Sequence, residues 1–237
     1  MNRTYREKLN DYFESRFSVG IESYMRSLQK HGIVGKRNIL DVGCGPGEWA
    51  FAAAKLNPDA SVIGIDINDI ALDFAIKKMK ENEIANCEFL KESYENLLKI
   101  FQSESFDVIM CNSVIQYIDE KKAFQIFSHL LKKDGILIMF WNHGPGYYLW
   151  KIFSGIKNLN FGTIIYGVNT IINTLSTLSL NPNPRDHFVT LRQLRRISKG
   201  VGIALTQIET EPKLDYKDKF LGFTYVFSCK GIKYGNI

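Results

Sequence analysis

The chain has 237 residues, of which 45% are hydrophobic and 23% charged, and its formal net charge is +5. This length and apolar content predict one α/β domain with an added segment, and the mild charge permits an anionic substrate without requiring one. The four cysteines show no C-x-x-C spacing and no associated histidines, which argues against a metal site or a disulfide framework. We expect a reducing, cytoplasmic setting, because the polar N-terminus MNRTYREKLNDYF predicts no signal peptide.

The first segment, 1–35, predicts a helical cap. Between Tyr5 and Lys30 the pattern indicates one or two amphipathic helices. Their apolar positions are Tyr12, Phe13, Phe17, Tyr24 and Met25. Such helices either cover a bound ligand or pack on the outside of a sheet, and the sequence leaves both interpretations open.

A glycine-rich turn follows the first predicted strand. The strand is Asn38–Val42, and Glu48–Leu56 has the composition of a helix. Gly43, Gly45 and Gly47 allow the backbone to turn sharply and a ligand to approach without Cβ clashes. Strand, turn and helix in this order predict a site for a nucleotide-like ligand.

The next predicted strand, Ser61–Asp66, ends in an acid 19 positions after Gly47. A carboxylate at the tip of the second strand of a β-α-β unit can accept hydrogen bonds from both hydroxyls of a ribose. The alternative is that Asp66 caps the helix that begins near Asn68–Asp69.

The glycine spacing helps to distinguish two cofactors. Dinucleotide-binding enzymes use G-x-G-x-x-G to hold a pyrophosphate, whereas this turn is D-x-G-x-G-x-G with Asp41 in front of it. An anion there would repel a pyrophosphate but would suit an ammonium or a sulfonium group. The pattern therefore favours S-adenosylmethionine over a dinucleotide.

The rest of the chain alternates strands and helices over 36–144, which predicts a doubly wound, mostly parallel sheet. We predict further strands at 87–90, 106–111 and 135–141 and helices at 69–83, 92–101 and 119–132. The C-terminal part, 186–237, predicts a helix at 190–200 and an antiparallel strand pair, Ile203–Ile208 with Phe220–Cys229, that completes the core.

The segment 145–185 departs from this alternation. It has no charged residue between Lys157 and Arg185 and no apolar run of 18 residues, so we do not predict a membrane span. On a helical wheel its isoleucines, Val168, Leu175 and Leu178 share one side, and uncharged Asn, Thr and Ser residues share the other. We predict a helical lid. A subunit contact, a weak membrane-surface contact and plain packing are the alternatives, and the chain is a monomer or a homodimer.

Together these features resemble the class I S-adenosylmethionine-dependent methyltransferases of the small-molecule type. The resemblance covers most of 36–142 and resumes at 185–230. It rests on Asp41–Gly47, Ile65–Asp66, Phe106–Cys111 and Leu130–Leu137. It implies a Rossmann-like fold with a seven-stranded sheet and a helical insertion after the fifth strand.

The resemblance also implies positions for the cofactor. Gly43, Cys44, Gly45 and Gly47 would line its methionine part, with Asp41 near the ammonium group. Asp66 would bind the ribose, Ile67 would pack on the adenine, and Cys111 and Asn112 would flank the cofactor from the other side. Ser93, followed by Tyr94, stands where relatives usually have an aspartate for the adenine amino group.

Acceptor and base positions are less specific. Cys111–Ile115 lacks the Asn/Asp-Pro-Pro-Tyr motif of enzymes that methylate base nitrogens, so we expect no nucleic-acid partner. We predict substrate contacts at Tyr117, Trp141 and Arg185. His143 and His187 are the candidate general bases, since an imidazole with a pKa near neutrality can take a hydroxyl proton.

The sequence therefore predicts a methyltransferase that acts on a small molecule at oxygen, with a sugar, polyketide-like or quinone-like or lipid-linked acceptor, and no metal. Two alternatives remain at this point. One is an NAD(P)-dependent oxidoreductase, which the glycine spacing does not favour. The other is a non-catalytic partner protein with a methyltransferase fold.

Overall fold

The computed structural model describes residues 4–177, 186–209 and 219–235. The helices of these residues are α1 (Tyr5–Phe17), α2 (Ile21–Lys30), α3 (Glu48–Leu56), α4 (Asp69–Glu81), α5 (Leu97–Ile100), α6 (Glu120–Leu130), α7 (Pro145–Lys157), α8 (Phe161–Thr177) and α9 (Leu191–Gly200). The strands are β1 (Asn38–Val42), β2 (Ser61–Asp66), β3 (Cys87–Lys91), β4 (Phe106–Met110), β5 (Leu131–His143), β6 (Ile203–Ile208), β7 (Lys219–Phe220), β8 (Phe223–Thr224) and β9 (Val226–Lys233).

Seven strands form one sheet in the order β3-β2-β1-β4-β5-β9-β6. The first five are parallel, whereas β9 runs antiparallel to both of its neighbours, β5 and β6. The predicted doubly wound, seven-stranded sheet is therefore confirmed. Strand order reverses between β1 and β4, and in open α/β sheets ligands bind at the carboxyl ends of the strands at such a point.

Helices cover both faces of the sheet, so its central strands are buried on both sides. Leu40 and Ile109 face a core that includes Phe124 and Phe127 of α6. Ile39 and Val108, one position away on the same strands, belong to the core on the opposite face. This alternation follows from the two-residue period of a strand, and it holds the carboxyl ends of β1 and β4 rigidly side by side.

Three predicted boundaries were wrong. The stretch 92–101 is a 3-10 turn, Tyr94–Asn96, followed by the four-residue helix α5. Helix α6 ends at Leu130, because β5 begins four residues earlier than predicted and Leu131 already pairs with Phe106. The C-terminal strand is interrupted, since Leu221 and Gly222 have positive φ and turn β7 back onto β8 before β9 begins.

Two helices, not one, follow β5. They pack closely because α7 and α8 each place a glycine at their contact: a Cβ on Gly155 would lie 2.6 Å from Ile164, and one on Gly167 would lie 2.7 Å from Ile152. The order of these contacts makes α7 and α8 an antiparallel hairpin. Of the uncharged side of α8, Thr170 and Thr174 are buried, whereas the apolar side faces outward.

Candidate active site

The predicted glycine turn lies at the carboxyl end of β1. Gly43, Gly45 and Gly47 all have positive φ, and a Cβ on Gly43 would clash with Val114. A Cβ on Gly47 would lie 2.8 Å from the ring of Phe89. A Cβ on Gly45 would meet no atom within 4 Å, because Gly45 borders an open cleft. Two of the three glycines are thus required by packing, and the third leaves room for a ligand.

Asp66 lies across the same cleft. Its Oδ2 accepts a hydrogen bond of 2.8 Å from the backbone N–H of Gly45, and its Oδ1 accepts one of 2.9 Å from that of Asn68. Asp66 does not cap α4, because the side chain of Asn68 accepts from the N–H groups of Ile70 and Ala71. A carboxylate has about four acceptor positions, so Asp66 can still accept from a diol in the cleft.

Asp41 is buried at the bottom of the cleft. Burial, together with the neighbouring carboxylates of Glu48 and Asp66, raises the pKa of Asp41 well above its usual value. Its Oδ2 has no hydrogen-bond partner among the described residues. Glu48 Oε2 is also buried without a partner, so two carboxylate oxygens are available at this end of the cleft. A cationic ligand would satisfy both oxygens and neutralise their repulsion.

Helix α1 forms the outer wall of the cleft, with Tyr12, Phe13 and Arg16. Arg16 Nε donates a hydrogen bond of 2.7 Å to Glu48 Oε1, and the guanidinium group lies 5.1 Å from the ring centre of Trp141. The sequence left open whether the N-terminal helices cover a ligand or pack on the outside of the sheet. Because α1 borders the predicted cofactor position, the structure favours the first interpretation for α1. Arg16 therefore ties α1 to α3 directly above the glycine turn.

A cluster of aromatic side chains surrounds His143 at the end of β5. The imidazole stacks on Tyr147 with ring centres 3.9 Å apart, and Tyr117 meets it edge-on at 6.4 Å. Tyr148 and Tyr166 complete the cluster, with Tyr166 hydrogen-bonded to Tyr117. Burial, with a smaller effect of Lys151, lowers the pKa of His143 to about 3, so the imidazole is neutral at ordinary pH.

One side chain connects this cluster to the cleft. Gln116 Nε2 donates a hydrogen bond of 2.8 Å to the carbonyl of Ser113, which borders the cleft, and lies 3.4 Å from His143 Nδ1. Gln116 is fully buried in a 3-10 turn after β4. The cluster and the cleft are therefore neighbours at the carboxyl ends of β4 and β5.

His187 lies behind this cluster and faces Glu120 of α6. Its backbone N–H donates to the carbonyl of Gln116 at 3.0 Å, and its Nε2 lies 3.3 Å from Glu120 Oε2. Burial acts to raise the pKa of Glu120, but hydrogen bonds from His187 and Gln193 lower it below its usual value. The geometry favours a structural role for His187 in holding residues 186–190 against α6.

The remaining predicted residues lie at varied distances from the cleft. Asn112 borders it, and its Oδ1 accepts from the N–H of Phe140 while its Nδ2 is buried without a partner. Cys44 borders the cleft, Cys111 is fully buried, and Ile67 is 73% exposed. Trp141 is buried among Tyr24, Trp49 and Arg16.

Four further positions were predicted to contact the cofactor or the substrate. Ser93 caps the 3-10 turn after β3, and Tyr94 accepts a hydrogen bond from the N–H of Asp119, so both make contacts within the fold. Tyr117 is partly exposed beside His143. Arg185 lies outside the described residues. All of these assignments therefore stay predictions.

The residues of the cleft fit S-adenosylmethionine. The oxygens of Asp41 and Glu48 lack partners and match an ammonium or sulfonium group, and the buried donors Trp49 Nε1 and Asn112 Nδ2 match a carboxylate. Asp66 lies across from them, where a ribose would follow the methionine part. Arg16, Glu48 and Trp49 were not assigned to the site from the sequence. A signal existed for Arg16, because it lies one helical turn beyond Tyr12 and Phe13 on the same face of α1.

Comparison with known proteins agrees with this geometry. Residues 33–141 match the family model described as a methyltransferase domain. Ribosomal RNA large subunit methyltransferase G of Vibrio atlanticus is 34% identical over 119 residues, which is 47% of this chain and 30% of that protein. Ubiquinone biosynthesis O-methyltransferase of Actinobacillus pleuropneumoniae is 34% identical over 111 residues, which is 45% of this chain and 46% of that protein.

A solved structure extends the similarity over most of the fold. Phosphoethanolamine N-methyltransferase 2 of Haemonchus contortus, in complex with S-adenosyl-L-methionine, superposes with a TM-score of 0.64 at 17% identity over 90% of this chain and 53% of that one. The chain spans half or less of the length of the curated relatives it matches.

The fold and the cleft define an α/β protein with a nucleotide-type site at the β1–β4 reversal. The match of residues 33–141 to a methyltransferase domain confirms the predicted resemblance to the class I S-adenosylmethionine-dependent methyltransferases. No helix among residues 4–177, 186–209 and 219–235 is long and apolar enough to cross a bilayer. Within the same residues, no three His, Cys, Asp or Glu side chains are grouped as a metal ion would need.

Proposed function

We propose that the protein transfers a methyl group from S-adenosylmethionine to a hydroxyl oxygen of a small, flat, partly apolar acceptor in the reducing cytoplasm. The observation that carries this proposal is the aromatic cluster around His143, which adjoins the cofactor cleft through Gln116 and Ser113. The relatives are named for different acceptors, so the proposed acceptor rests on this cluster alone.

The tyrosine rings favour a planar acceptor. Tyr147 and Tyr148 lie nearly perpendicular to each other at 5.1 Å, and Tyr117 is hydrogen-bonded to Tyr166. The hydroxyl of Tyr148 is buried without a partner among the described residues, so it can donate to an acceptor oxygen. Stacking and one such hydrogen bond would orient an aromatic ring toward the cleft.

The low pKa of His143 narrows the choice of hydroxyl. When bound, S-adenosylmethionine supplies a methyl group already activated by its sulfonium. His143 would hold the proton that leaves the acceptor oxygen, but a base with a pKa of about 3 attracts a proton weakly. An acidic hydroxyl such as a phenol fits this base better than a sugar hydroxyl does.

Helices α7 and α8 would exclude water from this reaction. Tyr148 on α7 and Tyr166 on α8 both point to the cluster, with ring centres 5.9 Å apart. The hairpin thus covers His143 with Tyr147 and Tyr148 of α7. A water-poor site strengthens the alignment of acceptor and methyl group and prevents competing hydrolysis. The α7–α8 hairpin is thus proposed as the lid of this site.

The test is a screen for S-adenosylhomocysteine formation with a matched set of phenols, aliphatic alcohols, sugars and amines. We expect turnover with a phenol. We expect His143→Ala to lower kcat by about 100-fold or more while the affinity for S-adenosylhomocysteine is unchanged. His129, on the last turn of α6, provides the control His129→Ala, which should leave kcat unchanged. Turnover confined to amines, or full activity of His143→Ala, would contradict the proposal.

A further inference from the structure

The outer side of α8 exposes a continuous apolar stripe. It consists of Phe161, Ile165, Val168, Ile172 and Leu175, each between 38% and 73% exposed. These positions recur with the period of a helix and therefore lie on one side of it. A surface helix normally places charged residues there, so the stripe needs a partner outside the described residues.

Helix α7 adds to the same surface. Phe153 and Ile156 on α7 and Leu159 in the connecting turn are between 51% and 81% exposed. In the antiparallel pair both exposed stripes lie about a third of a turn from the contact line marked by Gly155 and Gly167, and helical geometry puts them on the same side. We call these eight residues the hairpin face.

The hairpin face is larger than an ordinary surface patch. Eight large side chains that are about half exposed present an area on the order of 800 Å², whereas the largest apolar patch of a monomer is about 300–600 Å². The adjoining strands β7 and β8 extend it, since Phe220 packs against Trp150 at 5.3 Å and Phe223 is 53% exposed.

Charge indicates which partner fits. Residues 145–177 and 219–224 contain no Asp or Glu, and two of their lysines adjoin the exposed apolar residues in the chain, Lys157 next to Ile156 and Lys219 next to Phe220, whereas Lys151 lies over the ring of Tyr147. A second copy of the chain would place these lysines near one another without an acid from either segment to pair with them. An anionic lipid surface complements both features, because it accepts apolar side chains and attracts the lysines at their border.

We propose that the hairpin face binds the surface of an anionic lipid bilayer without crossing it. The aromatic residues Phe153 and Phe161 would enter the boundary between headgroups and acyl chains, where the apolar side of an interfacial helix is buried. Tyr166 lies on the opposite side of α8 and contacts the His143 cluster, so the hairpin would lie between the lipid and the acceptor site. This binding does not depend on the proposed methyl transfer.

The experiment is co-sedimentation of the full chain with phosphatidylcholine vesicles, with and without phosphatidylglycerol. We expect binding to the anionic vesicles and about a tenfold or greater loss of it in the double variant Ile165→Asn, Ile172→Asn, since both side chains are exposed. The control is Leu98→Asn, Ile100→Asn on α5, which changes two exposed apolar side chains elsewhere and should bind as the wild type does.

Two further measurements separate the possible outcomes. Lys157→Glu should weaken binding to anionic vesicles and leave any binding to neutral vesicles unchanged. The affinity for S-adenosylhomocysteine, which should be the same in every variant, reports that each variant is folded. A wild-type dimer that the double variant converts to a monomer, with no vesicle binding, would overturn the proposal, and so would equal binding to neutral and anionic vesicles.

Discussion

At the scale of single residues, the cleft is organised by carboxylates that the fold leaves incompletely satisfied. Asp41 and Glu48 both have an oxygen without a partner among the described residues, next to a glycine turn that leaves space for a ligand. Such groups cost stability when nothing binds them, and a cationic ligand recovers that cost. The site therefore lowers the stability of the ligand-free protein and raises its affinity for a cationic ligand.

The protonation of Asp41 makes both the stability and the ligand affinity depend on pH. Because burial raises the pKa of Asp41, the folded ligand-free protein holds a proton that the unfolded chain has lost. Its contribution to stability therefore falls as pH rises from the ordinary Asp value through the raised folded pKa. The affinity for S-adenosylhomocysteine should change in the opposite direction, since Asp41 must be ionised to pair with an ammonium group.

The corresponding measurement is the melting temperature against pH, with and without S-adenosylhomocysteine. We expect Asp41→Asn to be more stable than the wild type without ligand at alkaline pH, by about 1–3 kcal/mol. It should also bind S-adenosylhomocysteine weakly and with less dependence on pH. Wild-type affinity that does not vary with pH, or an unaltered affinity in Asp41→Asn, would show that Asp41 does not contact the ammonium group.

At the scale of elements, the ion pairs that hold α1 over the cleft differ greatly in burial. Arg16 and Glu48 have side chains 18% and 2% exposed, whereas Arg6 and Asp73 are 60% and 65% exposed. Removing one partner of a buried pair leaves an uncompensated charge, and removing one partner of an exposed pair changes little. The position of α1 should therefore depend on Arg16 and hardly on Arg6.

We expect Arg16→Ala to lower the free energy of unfolding by about 3–5 kcal/mol and Arg6→Ala to lower it by about 1 kcal/mol at most. Urea unfolding measures both, and limited proteolysis within 1–20 should accelerate in Arg16→Ala alone. The two variants are matched, since each removes one arginine of α1. Equal effects of the two variants would show that the Arg16–Glu48 pair does not hold α1 in place.

Features whose geometry is determined within a short segment could be predicted from the sequence. The turn from Asp41 to Gly47 has its geometry set within seven residues, so its glycine pattern predicted both the turn and the ligand class. Arg16 and Glu48 are 32 positions apart, and no local pattern shows that α1 brings them together. The periodicity of α8 predicted an amphipathic helix but not which side packs, and here small residues such as Gly167 and Thr170 face inward.

At the scale of the whole molecule, the cofactor cleft and the His143 cluster lie side by side at the carboxyl ends of the parallel strands. The carboxyl ends of β1 and β2 hold the cofactor cleft, and those of β4 and β5 hold the His143 cluster. Helix α1 covers the first, and the α7–α8 hairpin covers the second and exposes its apolar face outward. This arrangement would allow a partly apolar acceptor to reach His143 while the protein rests on a membrane surface.

The central claim is that the cleft binds S-adenosylmethionine through Asp66 and the glycine turn. The most direct test is calorimetric titration of S-adenosylhomocysteine and, separately, NAD into the wild type, Asp66→Ala and the control Asp69→Ala, whose carboxylate pairs with Lys91 at the surface. We predict tight binding of S-adenosylhomocysteine, about 100-fold weaker in Asp66→Ala and unchanged in Asp69→Ala, with no binding of NAD. Binding of NAD alone, or equal affinity of S-adenosylhomocysteine for the wild type and Asp66→Ala, would contradict this account.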